Sequence, residues 1–280
     1  MSSTHISQLT RYFRQLERFP RRLRGLAIGD SWFQYPLRSY PDLQRLIGSP
    51  NLFGLRINFV DDSDPGRDAD EVFGLIKRWQ RLARTMREDF KPFDVILLSL
   101  GGNDVIGLDF QRHLKSANVL SVPVDFPWNN DRPEVVNRHV RLDALSETFS
   151  SIANAYRAII ALRDADAPDA VIFTHTYADV TPSQVGYTFL TFRSGPWIFG
   201  PATELGLSQD DQKRLTRWLL ASFHGLLLDL QAATTHFEIL DTRLELPDVA
   251  AWDNEIHPRG PGFRQLAEQH WRPAIERVIA

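Results

Sequence analysis

Three short stretches carry side chains suited to moving a proton and holding a developing negative charge. The first is Gly29-Asp30-Ser31-Trp32, directly after an apolar run. A serine on a strand-to-loop turn presents its hydroxyl on the ligand side of a sheet, and the N–H groups of the turn can point at an oxyanion. The second is Gly101-Gly102-Asn103-Asp104, after the run DVILLSL. Its glycines let the chain turn sharply. An Asn amide there donates to an oxyanion without bringing a titrating charge. The third is Asp253-Asn254-Glu255-Ile256-His257-Pro258, followed by Gly262-Phe263 and an apolar helix. Its histidine has acidic and amide neighbours just upstream. Taken singly, each has an ordinary explanation: a helix N-cap for Asp-Ser, turn chemistry for Gly-Asn-Asp, and a loop histidine before proline. Their joint placement and their order, Ser then Asn then His, set them apart.

The elements that must position them are legible as patterns. Five short apolar runs read as buried parallel strands: Leu23–Ile28, Leu55–Val60, Val95–Leu100, Ala170–His175 and Phe237–Leu240. Helical periodicity runs between them, over Asp68–Asp89, Leu142–Leu162 and Gln209–Ala232. A last helix begins near Gly262 and is expected to be interrupted at Pro273. Strands alternating with helices predict an α/β fold with a parallel sheet covered on both faces. Ligands of such sheets bind beyond the carboxyl ends of the strands. The first 22 residues read as an amphipathic helix lying on the domain, with Ile6, Leu9, Phe13 and Leu16 on one face. Two long connections, 105–141 and 177–208, are rich in aromatics, Pro and Gly and follow strands on the ligand side. With no repeat or low-complexity tract, one domain over residues 1–280 is expected.

Composition narrows the function classes. With 32 basic and 35 acidic residues the net charge is -3, which gives no reason to expect a nucleic-acid partner. There are no cysteines, so a thiol nucleophile, a disulfide framework and a Cys-bound zinc site are excluded. No cofactor or metal is expected. His113, His139, His224, His236 and His270 lack metal-ligand spacing. The acidic group Asp62, Asp64, Asp68, Asp70 and Glu71 lacks the glycine and ligand spacing of an EF-hand loop. The N-terminus lacks a signal-peptide core and no run is long enough to span a membrane, so a cytoplasmic location is expected.

Together the motifs resemble those of the GDSL/SGNH hydrolases. GDSW is similar to the first block of that family, GGND to the third, and NEIHP with its trailing glycine to the last. DDSDPGRDADE resembles the second, with Gly66 as the matching glycine. The resemblance runs from about Leu23 to the C-terminus. It implies a three-layer, flavodoxin-like fold and ester hydrolysis without a metal. No Gly-x-Ser-x-Gly elbow points to the α/β-hydrolases instead. The implied roles are Ser31 as nucleophile, His257 as general base, and Ser31, Gly66 and Asn103 as oxyanion donors. The family places its acid three residues before the histidine. Here that position is Asn254, and Asp253 stands one earlier. An ionised carboxylate favours Asp253 as acid. Asn254 or a main-chain carbonyl, in a Ser–His dyad, is the alternative. Trp32, His175, Tyr177 and Trp197 are candidate substrate contacts, with a structural hydrogen bond as the alternative for His175. Phe189, Phe192, Ile198 and Phe199 join Trp197 either in an apolar wall for an acyl chain or in the packed core of that insertion. The expected substrate is an ester of an esterase, lipase or lysophospholipase type. A carbohydrate O-acetylesterase and a non-catalytic binding protein of the same fold are the alternatives.

Overall fold

The structure is a computed structural model and describes residues 3–20, 22–35, 42–48, 57–115, 139–189 and 192–279. Its centre is a five-stranded parallel sheet built from β1 (Leu23–Gly29), β2 (Ile57–Ser63), β3 (Val95–Ser99), β4 (Val171–His175) and β7 (Phe237–Leu240). Two short strands, β5 (Tyr187–Phe189) and β6 (Phe192–Ser194), form a separate antiparallel pair in the second long connection. The order in the large sheet is β2-β1-β3-β4-β7, with every pair parallel. Helices cover both sides, the three-layer arrangement that the sequence pattern predicts. Residues 25–29 of β1 and all five residues of β3 and β4 are buried. Strands covered on two faces need apolar side chains on both, which is why these runs are continuous rather than alternating.

The register fixes where chemistry can happen. Gly29 pairs with Ser63 of β2 and with Ser99 of β3. Three strands therefore end level with one another, and the loops carrying Ser31, Gly66 and Asn103 leave the same edge. The order of connections reverses between β1 and β3, the place where parallel sheets open a crevice for ligands.

Local departures from the sequence reading have physical causes. The second strand is described from Ile57; Leu55, where it is expected to begin, lies outside the described residues. The helix expected over Asp68–Asp89 is split into a 3-10 turn, Ala69–Val72, and a helix, Leu75–Met86. Gly74, with φ 79°, breaks them apart, since a residue in that region cannot continue a right-handed helix. Pro273 does not stop the last helix. Gly260–Leu266 continues through a π-turn at Ala267–Trp271 into Arg272–Ile279. The wider turn makes room for a ring with no N–H to donate. Helix Ser3–Arg18 lies against β2 and buries Leu9, Tyr12 and Phe13. Residues 116–138 of the first long connection lie outside the described residues. Among the described residues, no helix is long and apolar enough to cross a membrane.

Candidate active site

Ser31 and His257 are 226 residues apart in sequence, yet His257 Nε2 lies 2.7 Å from Ser31 Oγ. Both are nearly enclosed, at 6% and 5% exposure. The Ser31 turn is built by its neighbour. Asp30 accepts a hydrogen bond from the Trp32 N–H at 2.9 Å, and its main-chain carbonyl accepts from Phe33 and Gln34. The Asp30 carboxylate also accepts from Ser99 Oγ at 2.8 Å and Tyr177 Oη at 2.6 Å. Burial pushes its pKa up to about 6 against these bonds. Asp30 is thus a buried brace beneath the nucleophile.

The His257 loop is a tight turn. Trp252 and Pro258 bridge across its base, and the Asp253 N–H donates to the His257 carbonyl at 2.8 Å. Inside this turn the third residue before the histidine meets the ring. Asn254 Oδ1 lies 2.9 Å from His257 Nδ1. The same oxygen accepts from the Ile256 N–H at 3.2 Å and the His257 N–H at 3.1 Å. Two main-chain donors therefore fix which end of the amide faces the ring. His257 Nδ1 must donate to that oxygen, so Nε2 carries the lone pair that accepts from Ser31. Burial lowers the His257 pKa to about 3, which keeps the ring neutral and basic in form.

The expectation that Asp253 contacts the histidine is corrected here. Asp253 Oδ2 instead accepts from Tyr35 Oη at 2.6 Å, and Asn254 Nδ2 donates to the same Tyr35 oxygen at 3.2 Å. The turn decides the partner. It brings position 254 under the ring and directs the neighbouring side chain elsewhere.

The oxyanion candidates come from the loops after β2 and β3. Gly101 sits at φ 99°, and a Cβ there would meet Phe223 at 2.7 Å, so only glycine makes this turn. The turn delivers Asn103, whose Nδ2 donates to the Arg67 carbonyl at 3.1 Å. One amide hydrogen thus ties Asn103 to the Gly66 loop, and the second remains for a ligand. Asp104 completes the tie. Its two carboxylate oxygens accept from the Ala69 N–H at 3.2 and 3.0 Å. Among the described residues, neither the Ser31 nor the Gly66 N–H has an acceptor.

Three candidate substrate contacts lie underneath the site. His175 is fully buried, and its Nε2 lies 2.9 Å from Ser99 Oγ. Tyr177 is 2% exposed and holds Asp30. Trp32 is 4% exposed, donates from Nε1 to the Ile256 carbonyl at 3.2 Å, and packs on His175, Tyr177 and Phe263. These side chains support Ser31 and His257 from below. Trp197 differs: it is half-buried and meets the His257 ring edge-on at 5.7 Å. Of the apolar wall, Ile198 is buried in the core, and the side chains of Phe189 and Phe192 lie outside the described part.

Two residues that sequence reasoning passed over hold the site together. Tyr35, 1% exposed, links the Ser31 segment to the His257 loop. Glu255 accepts from the Ile198 N–H at 2.8 Å, the Phe199 N–H at 2.7 Å and the Ser183 N–H at 3.3 Å. It fastens the second long connection to the loop carrying the base. An acid buried beside Asn254 was the available signal for it. Of the acidic group that begins at the end of β2, Asp62 is held by neighbouring side chains. Asp62 pairs with Arg67 and Arg78 and accepts from Trp79 Nε1. Among the described residues no cluster suited to a metal ion is assembled.

With this geometry established, comparison with solved structures is informative. The fold is that of solved lipases and esterases. A lipase from a goat rumen metagenome superposes with a TM-score of 0.54 at 12% identity, covering 91% of this chain and 97% of that one. An extracellular lipase from Streptomyces rimosus gives 0.50 at 14% identity, over 91% and 99%. An acetyl esterase mutant with an acetate ion gives 0.50 at 14% identity, over 92% and 98%. No family model matches the sequence, and a comparison with curated proteins finds no match.

Proposed function

We propose that this protein is a serine hydrolase of carboxylic esters acting through an acyl-enzyme. The observation that carries the reading is the continuous hydrogen-bonded line Ser31–His257–Asn254, at 2.7 and 2.9 Å, at the carboxyl edge of the sheet. A neutral imidazole with its lone pair on a serine hydroxyl, and its other nitrogen oriented by a third group, is the arrangement that activates a nucleophile. His257 takes the Ser31 proton as Oγ attacks the ester carbonyl. The tetrahedral oxyanion is received by the N–H groups of Ser31 and Gly66 and by the Asn103 amide. His257 then gives its proton to the departing alcohol, and water repeats the sequence to release the acid. The half-buried Trp197 beside His257 supports an apolar acyl group over a bare acetyl.

A fluorophosphonate probe tests the reading. It should label the wild-type protein on Ser31 and leave the folded Ser31→Ala variant unlabelled, and that variant should not turn over p-nitrophenyl butyrate. Labelling elsewhere, or substantial turnover by Ser31→Ala, would remove the proposal.

A further inference from the structure

Two side chains stand between His257 and a carboxylate. Asp253 Oδ2 accepts from Tyr35 Oη at 2.6 Å, the Tyr35 oxygen accepts from Asn254 Nδ2 at 3.2 Å, and Asn254 Oδ1 faces His257 Nδ1 at 2.9 Å. Every donor in this line points the same way, toward Asp253: the His257 Nδ1–H to Asn254 Oδ1, the Asn254 Nδ2–H to Tyr35 Oη, and the Tyr35 hydroxyl to Asp253 Oδ2. A negative charge on Asp253 draws the Tyr35 hydroxyl hydrogen, which makes the tyrosine oxygen a better acceptor for the amide. The amide, its N–H polarised toward the tyrosine oxygen, gathers more negative charge at Oδ1. Hydrogen bonds aligned head to tail strengthen one another in this way. From this geometry we propose that Asp253 supports His257 through Tyr35 and Asn254, a positioning and electrostatic relay that replaces the carboxylate in direct contact.

No proton passes along the line. Tyr35 keeps its hydrogen, Asn254 keeps both of its own, and only the Ser31 proton moves, to His257 Nε2 and back. The need for such a device follows from burial. The ring is enclosed by Ser31, Asn254, Tyr35 at 5.0 Å and Trp197 at 5.7 Å. Among the described residues no charged group is hydrogen-bonded to it, so an imidazolium formed there lacks a counter-ion in contact. Tyr35 also packs its ring on His257, so one side chain serves both as wall and as bridge. Among the described residues Tyr187 also faces Asp253; burial, reinforced by the Asp253 charge, raises its hydroxyl pKa.

This inference rests on His257 acting as the base, and its test reads the two apart. The whole protein is labelled with 15N-histidine, and the Nδ1–H resonance of His257 is assigned by its loss in His257→Gln. In Asp253→Asn and in Tyr35→Phe that resonance should move upfield, because a less polarised carbonyl accepts more weakly. On p-nitrophenyl butyrate, Asp253→Asn should lower kcat by about tenfold with KM held within about twofold, since the imidazolium exists only past the ground state. The double variant should be no slower than Tyr35→Phe alone. A resonance unmoved in both variants, or losses that multiply, would overturn the relay and leave Asp253 a loop anchor. Both substitutions are near-isosteric, and either one that folds decides the question. A wild-type protein inert to ester and probe would refute the hydrolase reading, while the resonance would still judge the relay.

Discussion

Asn254 Oδ1 faces His257 Nδ1 at 2.9 Å while accepting hydrogen bonds from the Ile256 and His257 N–H groups. An asparagine opposite a catalytic histidine ordinarily risks presenting its NH2 and stabilising the wrong tautomer, at a cost of roughly 10⁴ in kcat where it replaces the acid of a Ser-His-Asp triad. Here the two main-chain donors forbid that orientation. The amide is locked as an acceptor, and the productive tautomer follows.

Asn254→Ala should therefore cost at least about a hundredfold in kcat by freeing the ring and its tautomer. Asn254→Asp should keep the geometry of Oδ1 and raise the His257 pKa through a charge in direct contact. The acid limb of kcat/KM should then move to higher pH than in the wild type. A limb that stays in place would show that position 254 does not face the base in solution.

How much of this was readable beforehand depends on the range of the interaction. Ser31, Asn103 and His257 announce themselves because each lies in a short turn whose residue types suit one task. The strand ends that bring them level follow from continuous apolar runs. Charge favours Asp253 as the partner of His257, whereas the turn closed by the Asp253 N–H and the His257 carbonyl brings Asn254 to the ring. Tyr35 was invisible for another reason. Its bond to Asp253 spans 218 residues, and no local pattern marks a tyrosine as a bridge. Trp32, His175 and Tyr177 sit where a ligand would be expected, but the sheet edge is deep enough to spend them on support.

A histidine titration checks the enclosure of the site. Burial lowers both His175 and His257 to about 3. Neither should change its C2–H shift between about pH 5 and 8, the range in which exposed histidines titrate. The stability consequence has a definite sign. Between about pH 6.5 and 3 the unfolded chain takes up protons at these positions and the folded chain does not. Both histidines thus reduce stability as the solution is acidified through that window. Titration of either near 6.5 would mean that the ring is open to water.

Asn103→Ala probes the charge-binding role. The amide is asked to meet a negative charge present only in the transition state, so kcat should fall by roughly 10²–10³ while KM changes little. The tie to Arg67 is also lost in this variant. Asn103→Asp also removes both roles and adds a negative charge where the oxyanion would form, because a carboxylate can neither donate to the Arg67 carbonyl nor bind an oxyanion. It should be at least as slow as Asn103→Ala. An effect confined to KM would make Asn103 a substrate contact instead.

Asp104 offers a test by stability. Its carboxyl is 7% exposed, and burial, reinforced by Asp68, pushes its pKa up to about 7. Between about pH 4 and 7 the folded chain holds a proton here that the unfolded chain has released. The group therefore costs stability as pH rises through that window, and the cost is complete above it. Asp104→Asn keeps an oxygen for the Ala69 N–H but never carries the charge. Relative to wild type, its Tm should rise from little difference near pH 4 to an advantage on the order of a few degrees at pH 8. If the gain is uniform with pH, the carboxyl is ionised without penalty and the Gly66 loop is held by an ordinary exposed cap. If instead the variant is less stable at pH 8, the charge on Asp104 strengthens its bond to Ala69 by more than burial costs. In either case kcat in this variant reports on the loop: with Ala69 still held, Gly66 should keep its place and turnover should stay within a few-fold of wild type.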